Sequence, residues 1–331
     1  MGASIGLKTL GSVGTDIQAA ILSGEKFNTQ NLRTNKSLLL KDEWIRLDRT
    51  IVQVARTRLR AVNDLVSRGY RESIDGMSNT MLQWQTQSRT EGANVDMDPR
   101  AIGNFERVAF DLESLPLPIV HAEYNIGLRD LRVSRKLGTP LSVRMAQQKS
   151  QDVAEKVEDI LVNGLDGYTY GGGTIRGYTD HPSRATSVIT DWASDSTTGA
   201  DILEQVLAMK QDLIDKKKYG PYMLYIPTAY ETKMDEDFKS ETQGTIRERL
   251  AQIQAIGDNI AVLDALPDNN VLLVQLSDMN VQIVDGMPLT NVNWNTGGGM
   301  DLFFKIMTIM VPRFFVDQDG NLGVAHATLR T

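Results

Sequence analysis

The 331-residue chain contains no cysteine. That single absence excludes disulfides, thiolate nucleophiles, iron–sulfur clusters and thiolate zinc sites. Histidine is nearly as scarce, and His121, His181 and His326 lie far apart with no shared motif. His121-Ala-Glu123 begins like a zinc-deaminase signature, but that signature needs cysteine ligands. There is no nucleophile elbow, no Gly-x-Gly-x-x-Gly fingerprint and no His-Glu-x-x-His pair. No apolar run approaches the ~18–20 residues that span a bilayer; the longest lies near Ile306–Val311. The N-terminus lacks the long apolar core of a signal peptide. Gly6 stands where a myristoylation motif requires Ser or Thr. A net charge of -7 argues against a general nucleic-acid binder. These absences point to a soluble protein made in a reducing compartment, with no catalytic, cofactor or metal residues and no membrane partner.

One stretch comes close to chemistry. Gly171–Thr179, GGGTIRGYT, runs from Gly172 through four residues to Gly177, then Tyr178 and Thr179. A phosphate-binding loop has Lys where Tyr178 stands, and it opens a helix whose N-terminus faces the anion. This run instead follows a helical pattern, whose C-terminal dipole end repels phosphate. It reads as a flexible surface turn. The upstream acids Glu155, Glu158 and Asp159 have no histidine on their helix to suggest a carboxylate metal site. A solvated or ion-paired face is the expectation for them.

Residues 1–40 are rich in Gly, Ser, Thr and Asn and read as an arm ordered by partners. A long helix is predicted over about 42–68, with Ile45, Ile51, Val54, Ala55, Leu59, Val62, Leu65 and Val66 near helical spacing, ended by Gly69. Arg46, Arg49, Arg56, Arg58 and Arg60 decorate it; they suit a solvated face paired with neighbouring acids, or contact with nucleic acid. Tyr70 to about Glu106 is polar, with strand-like TMLQWQTQ inside it and RVAFDL just beyond. A stretch this long cannot supply its own core unless it lies on another subunit. Residues 140–163 form an amphipathic helix with an apolar stripe of Val143, Ala146, Val153, Ala154, Val157, Ile160 and Leu161. Asp152 and Lys156 are spaced as an i,i+4 pair, and Gly164 stops the helix. A second helix over about 199–218 turns Ile202, Leu203, Val206, Leu207, Leu213 and Ile214 inward. The strand PYMLYIP, a helix over about 245–256, and strands at NIAVLDAL, NVLLVQLS, NVQIVDG, MDLFFKIMTIMVPRFFV and GVAHATL complete an α+β pattern without repeats.

From about Leu38 onward, this order of pieces resembles encapsulin shell proteins and tailed-phage major capsid proteins of the Hong Kong 97-type fold. LLLKDEWIRLDRTIVQVAR is similar to the first long helix of an encapsulin, and SLPLPIVHAEYNIGLRDLRVSRKLGTPL to the proline-bearing strand and following segment. AQQKSQDVAEKVEDILVNG with GGGTIRGY resembles the spine helix and its glycine-rich turn. DILEQVLAMKQDLIDKKKYGPYMLYIPTAYE resembles the second peripheral-domain helix and the Gly-Pro-Tyr strand. The resemblance implies an N-terminal arm (1–40), an N-terminal helix (41–69) and an extended loop over a neighbour (70–113). It implies a peripheral domain (114–220) with spine helix 140–163 and glycine-rich turn 164–178, a mainly axial region (221–300), and C-terminal strands (301–331) returning to the peripheral/axial junction.

It further implies a structural major capsid protein that self-assembles, as hexamers and pentamers, into an icosahedral phage head enclosing a DNA genome; the alternative is a nanocompartment shell around cargo enzymes. Implied partners are further copies of the chain, a portal, separate scaffolding or decoration proteins, and packaged double-stranded DNA through non-specific contact. The implied location is the virion, assembled in the host bacterial cytoplasm. Contacts between subunits are expected at Trp84, Arg89, Phe105 and Arg107 of the extended loop. On helix faces they are expected at Arg56, Arg60, Glu155, Glu158 and Asp159. Some relatives join an extended-loop lysine to a neighbour's asparagine. No lysine occurs here between Lys41 and Lys136, so a non-covalent shell is expected. The arm carries Lys8, Lys26, Arg33 and Lys36 against Asp16 and Glu25, a mildly basic balance that fits DNA. It resembles a phage arm rather than the short start of an encapsulin, and from Met1 it leaves no room for a fused scaffolding segment.

Overall fold

The computed structural model describes residues 45, 47–51, 53, 59–87, 110–136, 144–239, 242–296 and 301–329. Residues 45, 47–51 and 53 are helical. In chain order follow α1 (Arg60–Ser67), β1 (Arg71–Ser73), β2 (Met81–Gln87), β3 (Phe110–Pro116), β4 (Val120–Gly127), α2 (Leu128–Lys136) and α3 (Arg144–Asn163). Next come β5 (Thr169–Tyr170), β6 (Gly173–Thr174), β7 (Ala185–Ile189), α4 (Gly199–Asp215), β8 (Tyr222–Ile226), α5 (Glu231–Met234) and β9 (Asp237–Lys239). The chain continues through β10 (Thr242–Thr245), α6 (Ile246–Ala251), β11 (Ile260–Val262), β12 (Asn270–Gln275), β13 (Val281–Thr296), β14 (Asp301–Phe314) and β15 (Val324–Leu329).

Two sheets carry the architecture. One is five-stranded, in the order β11-β8-β12-β15-β7; the other is four-stranded, in the order β1-β13-β14-β4. β8 shows how they are joined. All five of its residues are buried, as expected of a strand covered on both faces. Alternate side chains go to opposite faces. Tyr222, Leu224 and Ile226 pack with Ile202, Val206, Met209 and Leu213 of α4. Met223 and Tyr225 pack with Val62 and Leu65 of α1 and Val157 and Leu161 of α3. Val281, Ile283 and Phe314 of the four-stranded sheet enter that same cluster. One pair of helices therefore ties the two sheets together.

The helices form where local signals agree. In α3, Ala146, Val153, Ala154, Val157, Ile160 and Leu161 are all buried, and Gly164 at φ +77 leaves the helix in a left-handed conformation. α4 starts at a capping box in which Thr198 and Asp201 satisfy each other's backbone N–H groups.

Several expectations need correction. The helix over 42–68 is not continuous: Leu59 is non-helical and α1 starts afresh at Arg60, for a reason that lies in α3 and is described below. Ile45 is 44% exposed, and Leu47 occupies the inward position beside Ile51. On α4, Leu207 is exposed and Met209 takes its place in the stripe. Asp152 pairs with Lys149 at 2.7 Å, and Lys156 with Asp159 at 2.7 Å. α4 packs on the five-stranded sheet, whereas β13 belongs to the four-stranded sheet. Val54, Ala55, Val143 and the predicted start of α3 at 140 lie outside the described residues.

The glycine run is a hairpin rather than a free turn. Gly171 (φ +58) and Gly172 (φ +81) connect β5 to β6, the left-handed pair that a two-residue hairpin loop requires. Gly173 is there for space: a Cβ on it would lie 2.3 Å from the Ser114 carbonyl oxygen of β3. Gly173→Ala is expected to cost roughly 1–3 kcal/mol through this backbone clash. Urea denaturation checks it, and wild-type stability would remove the docking account.

Candidate subunit-interface sites

The structure brings four of the expected contact residues to one place. Arg60 of α1 and Glu155, Glu158 and Asp159 of α3 line a cavity of about 490 Å³, closed on the far side by residues 262–265. Glu155 is exposed and accepts from Gln151 Nε2 at 2.6 Å. Asp159 is held by Lys156 Nζ and by Asn163 Nδ2 at 2.9 Å.

Glu158 departs from the expected solvated face. It is 5% exposed, and its carboxylate accepts from the backbone N–H of Ala61 at 2.6 Å and of Val62 at 3.4 Å. The first amides of a helix have no partner within it. Leu59, the N-cap residue of α1, supplies none, so a side chain from α3 does so. This capping starts α1 anew, and it takes Glu158 into its own chain's interior instead of presenting it to a neighbour. Burial pushes the Glu158 carboxyl up to about 7; the Ala61 and Val62 amides oppose this and the nearby Asp64 adds to it.

The second site is the ribbon β2–β3, paired from Met81↔Pro116 to Gln87↔Phe110. Alternation splits its faces. Leu82, Trp84 and Leu115 turn toward the core that holds Ile309 and Val311 of β14. Phe110 and Leu112 point away, each 61% exposed. Trp84 is fixed by its own chain: the Arg313 guanidinium lies 4.3 Å from its ring centroid and 4.4 Å from that of Phe315. Arg313 also pairs with Glu72 and is only 12% exposed. A desolvated stack of this kind contributes about 2 kcal/mol, more than an exposed ion pair. Between the ribbon and the glycine hairpin lies a cavity of about 480 Å³, with Arg176 and His181 on its wall.

Sequence reasoning missed Arg313, Phe110 and Leu112. The alternation in FDLESLP was a signal for the latter two, whereas nothing local marks Arg313. Arg56, Arg89, Phe105 and Arg107 lie outside the described residues. Two histidines meet at Arg184, which donates from Nη1 to the His181 carbonyl at 2.8 Å and from Nε to His326 Nδ1 at 3.2 Å. His326 Nε2 lies 2.7 Å from Asn270 Oδ1, so the neutral ring donates there. Burial pushes His326 down to about 4, and the arrangement binds β15 to its neighbours. Among the described residues, no group of three or more His, Asp or Glu is placed to hold a metal ion.

This architecture recurs in shell proteins. The virus-like particle from Pyrococcus furiosus aligns with a TM-score of 0.63 and 14% identity, over 87% of this chain and 100% of its own. The capsid of Myoviridae phage XM1 aligns at 0.61 and 11%, over 81% and 92%. A structure from Mycobacterium phage Bobi aligns at 0.57 and 12%, over 80% and 90%. The fold is thus the Hong Kong 97-type capsid fold. Residues 33–327 match the family described as "Family of unknown function (DUF6260)", and the chain belongs to that family.

Arg313→Ala is expected to release the base of the ribbon and to speed limited proteolysis within residues 81–116 several-fold. Arg313→Lys should act in the same direction, because Lys keeps the charge but loses the planar stack. Cleavage at the wild-type rate in both variants would show that the stack does not hold the ribbon.

Proposed function

We propose that this chain is the major capsid protein of a tailed bacteriophage, a structural subunit that self-assembles into an icosahedral head around a DNA genome. The observation that carries the reading is the pairing of this fold with a ribbon that anchors one face on its own core and exposes Phe110 and Leu112 on the other. A paired apolar surface on a projecting ribbon suits burial against another subunit. Segment 70–113 then serves as the extended loop, and large interfaces with many weak contacts hold the particle. Hexamers and pentamers of the chain form the shell, which also meets a portal, separate scaffolding or decoration proteins, and packaged DNA. Assembly takes place in the host bacterial cytoplasm, and the protein resides in the virion.

A compartment shell around cargo enzymes is the second reading. It is favoured by the match to the Pyrococcus furiosus particle, which spans that chain's full length. Particles from the natural host separate the two: nuclease-protected genomic DNA supports the head, and a co-purifying enzyme without DNA supports the compartment.

The expressed chain is expected to form closed particles in negative-stain images. The double variant Phe110→Ser, Leu112→Ser should remain folded by circular dichroism yet stay unassembled. A wild-type chain that stays monomeric at high concentration would sink both shell readings. The chain has no cysteine, and no lysine between Lys41 and Lys136. SDS should therefore dissolve particles to single chains near 36.7 kDa, and a covalent ladder would contradict the non-covalent shell.

A further inference from the structure

The start of α1 depends on an acid from another helix. We infer that Glu158 is a proton-dependent clamp on the first turn of α1, tight while its carboxyl is neutral and loosening as the solution becomes alkaline. The inference goes beyond the shell reading and does not rest on it.

The geometry makes both forms of the carboxyl consequential. Neutral, it still offers its carbonyl oxygen to the Ala61 amide, 2.6 Å away, with no charge to desolvate. Ionised, it gains from the amides and the helix dipole, but it must hold its charge away from water and beside Asp64. Every element packed around it brings charged or titratable groups. α1 contributes Asp64, with Arg60 and Arg68 acting on it. α3 contributes Glu155 and the Asp159–Lys156 pair, and the loop after β11 contributes Asp264. Tyr225 of β8 donates to Asp64 Oδ2 at 3.2 Å. Tyr178 adds a buried hydroxyl with no hydrogen-bond partner among the described residues. Burial pushes both tyrosines up, so they stay neutral and add no negative charge beside the carboxyl.

Glu158 sits at about 7 against an ordinary 4.5. A carboxyl raised in the folded state contributes stability that is fully present below about 4.5 and lost as pH climbs through about 7.

Amide hydrogen exchange of the first turn of α1 in the full chain, corrected for intrinsic rates, reads the clamp directly. Between pH 6.0 and 8.5, wild-type protection at Ala61 and Val62 should fall about tenfold. Glu158→Gln, which keeps the size and the acceptor oxygen, should show a flat profile. Equal pH dependence in the two proteins, or protection that rises with pH, overturns the inference. If Glu158→Gln fails to fold, Asp64→Asn carries the test. Removing that neighbouring charge should move the wild-type midpoint to lower pH, and an unmoved midpoint overturns the clamp.

Discussion

The structure depends on one constraint: β8 has no solvent face. Its five side chains must be covered on both sides, by α4 on one and by α1 with α3 on the other. Because α1 and α3 are also packed against Val281, Ile283 and Phe314, covering β8 sets the relative position of the two sheets. Truncating a residue such as Leu161, fully buried in that layer, removes contacts to both sheets at once. Losses of this kind run to about 2–5 kcal/mol.

Buried polar groups refine what the apolar core establishes. Glu158 satisfies the start of α1 from 97 residues away. Arg313 links Trp84 of the ribbon, Phe315 and Glu72 in one cluster. Both groups would be costly if left alone in the interior. Each is therefore bound to a particular arrangement of neighbours, which gives the packing a register that apolar contacts alone do not impose. The ribbon is specified in the same way, with Gly173 allowing the close approach and Arg313 locking it.

Much of this was legible in the sequence because it is local. The stripe from Ala146 to Leu161, the Gly164 stop and the strand pattern of YMLYI follow from spacing alone. What escaped the sequence is non-local. The residues Ile45 and Leu207 obey helical spacing yet face outward, because the choice between neighbouring stripes is made by the surfaces they meet. Glu158 sits among acids that read as one solvated face. Only the fold shows that a helix start almost a hundred residues earlier in the chain needs its oxygen. The division between the two sheets was likewise hidden, since α4 is adjacent in sequence to one region and packs with another. The near-match of GGGTIRGYT to a phosphate loop dissolves for a similar reason: two of its glycines make a hairpin and a third makes room for a carbonyl.

The stacked cation at the foot of the ribbon also makes the protein report on itself. An indole held against a guanidinium emits differently from one in water or hydrocarbon, and Trp84 is the tryptophan so placed on the ribbon. Trp192, sealed against Tyr230 beneath α4, is an internal reference that does not share this contact. With Trp44 and Trp294 replaced by Phe, the latter because it lies under the Lys305 ammonium, intrinsic fluorescence can therefore follow the ribbon's seating in real time, without a dye and without altering the surface that the ribbon presents.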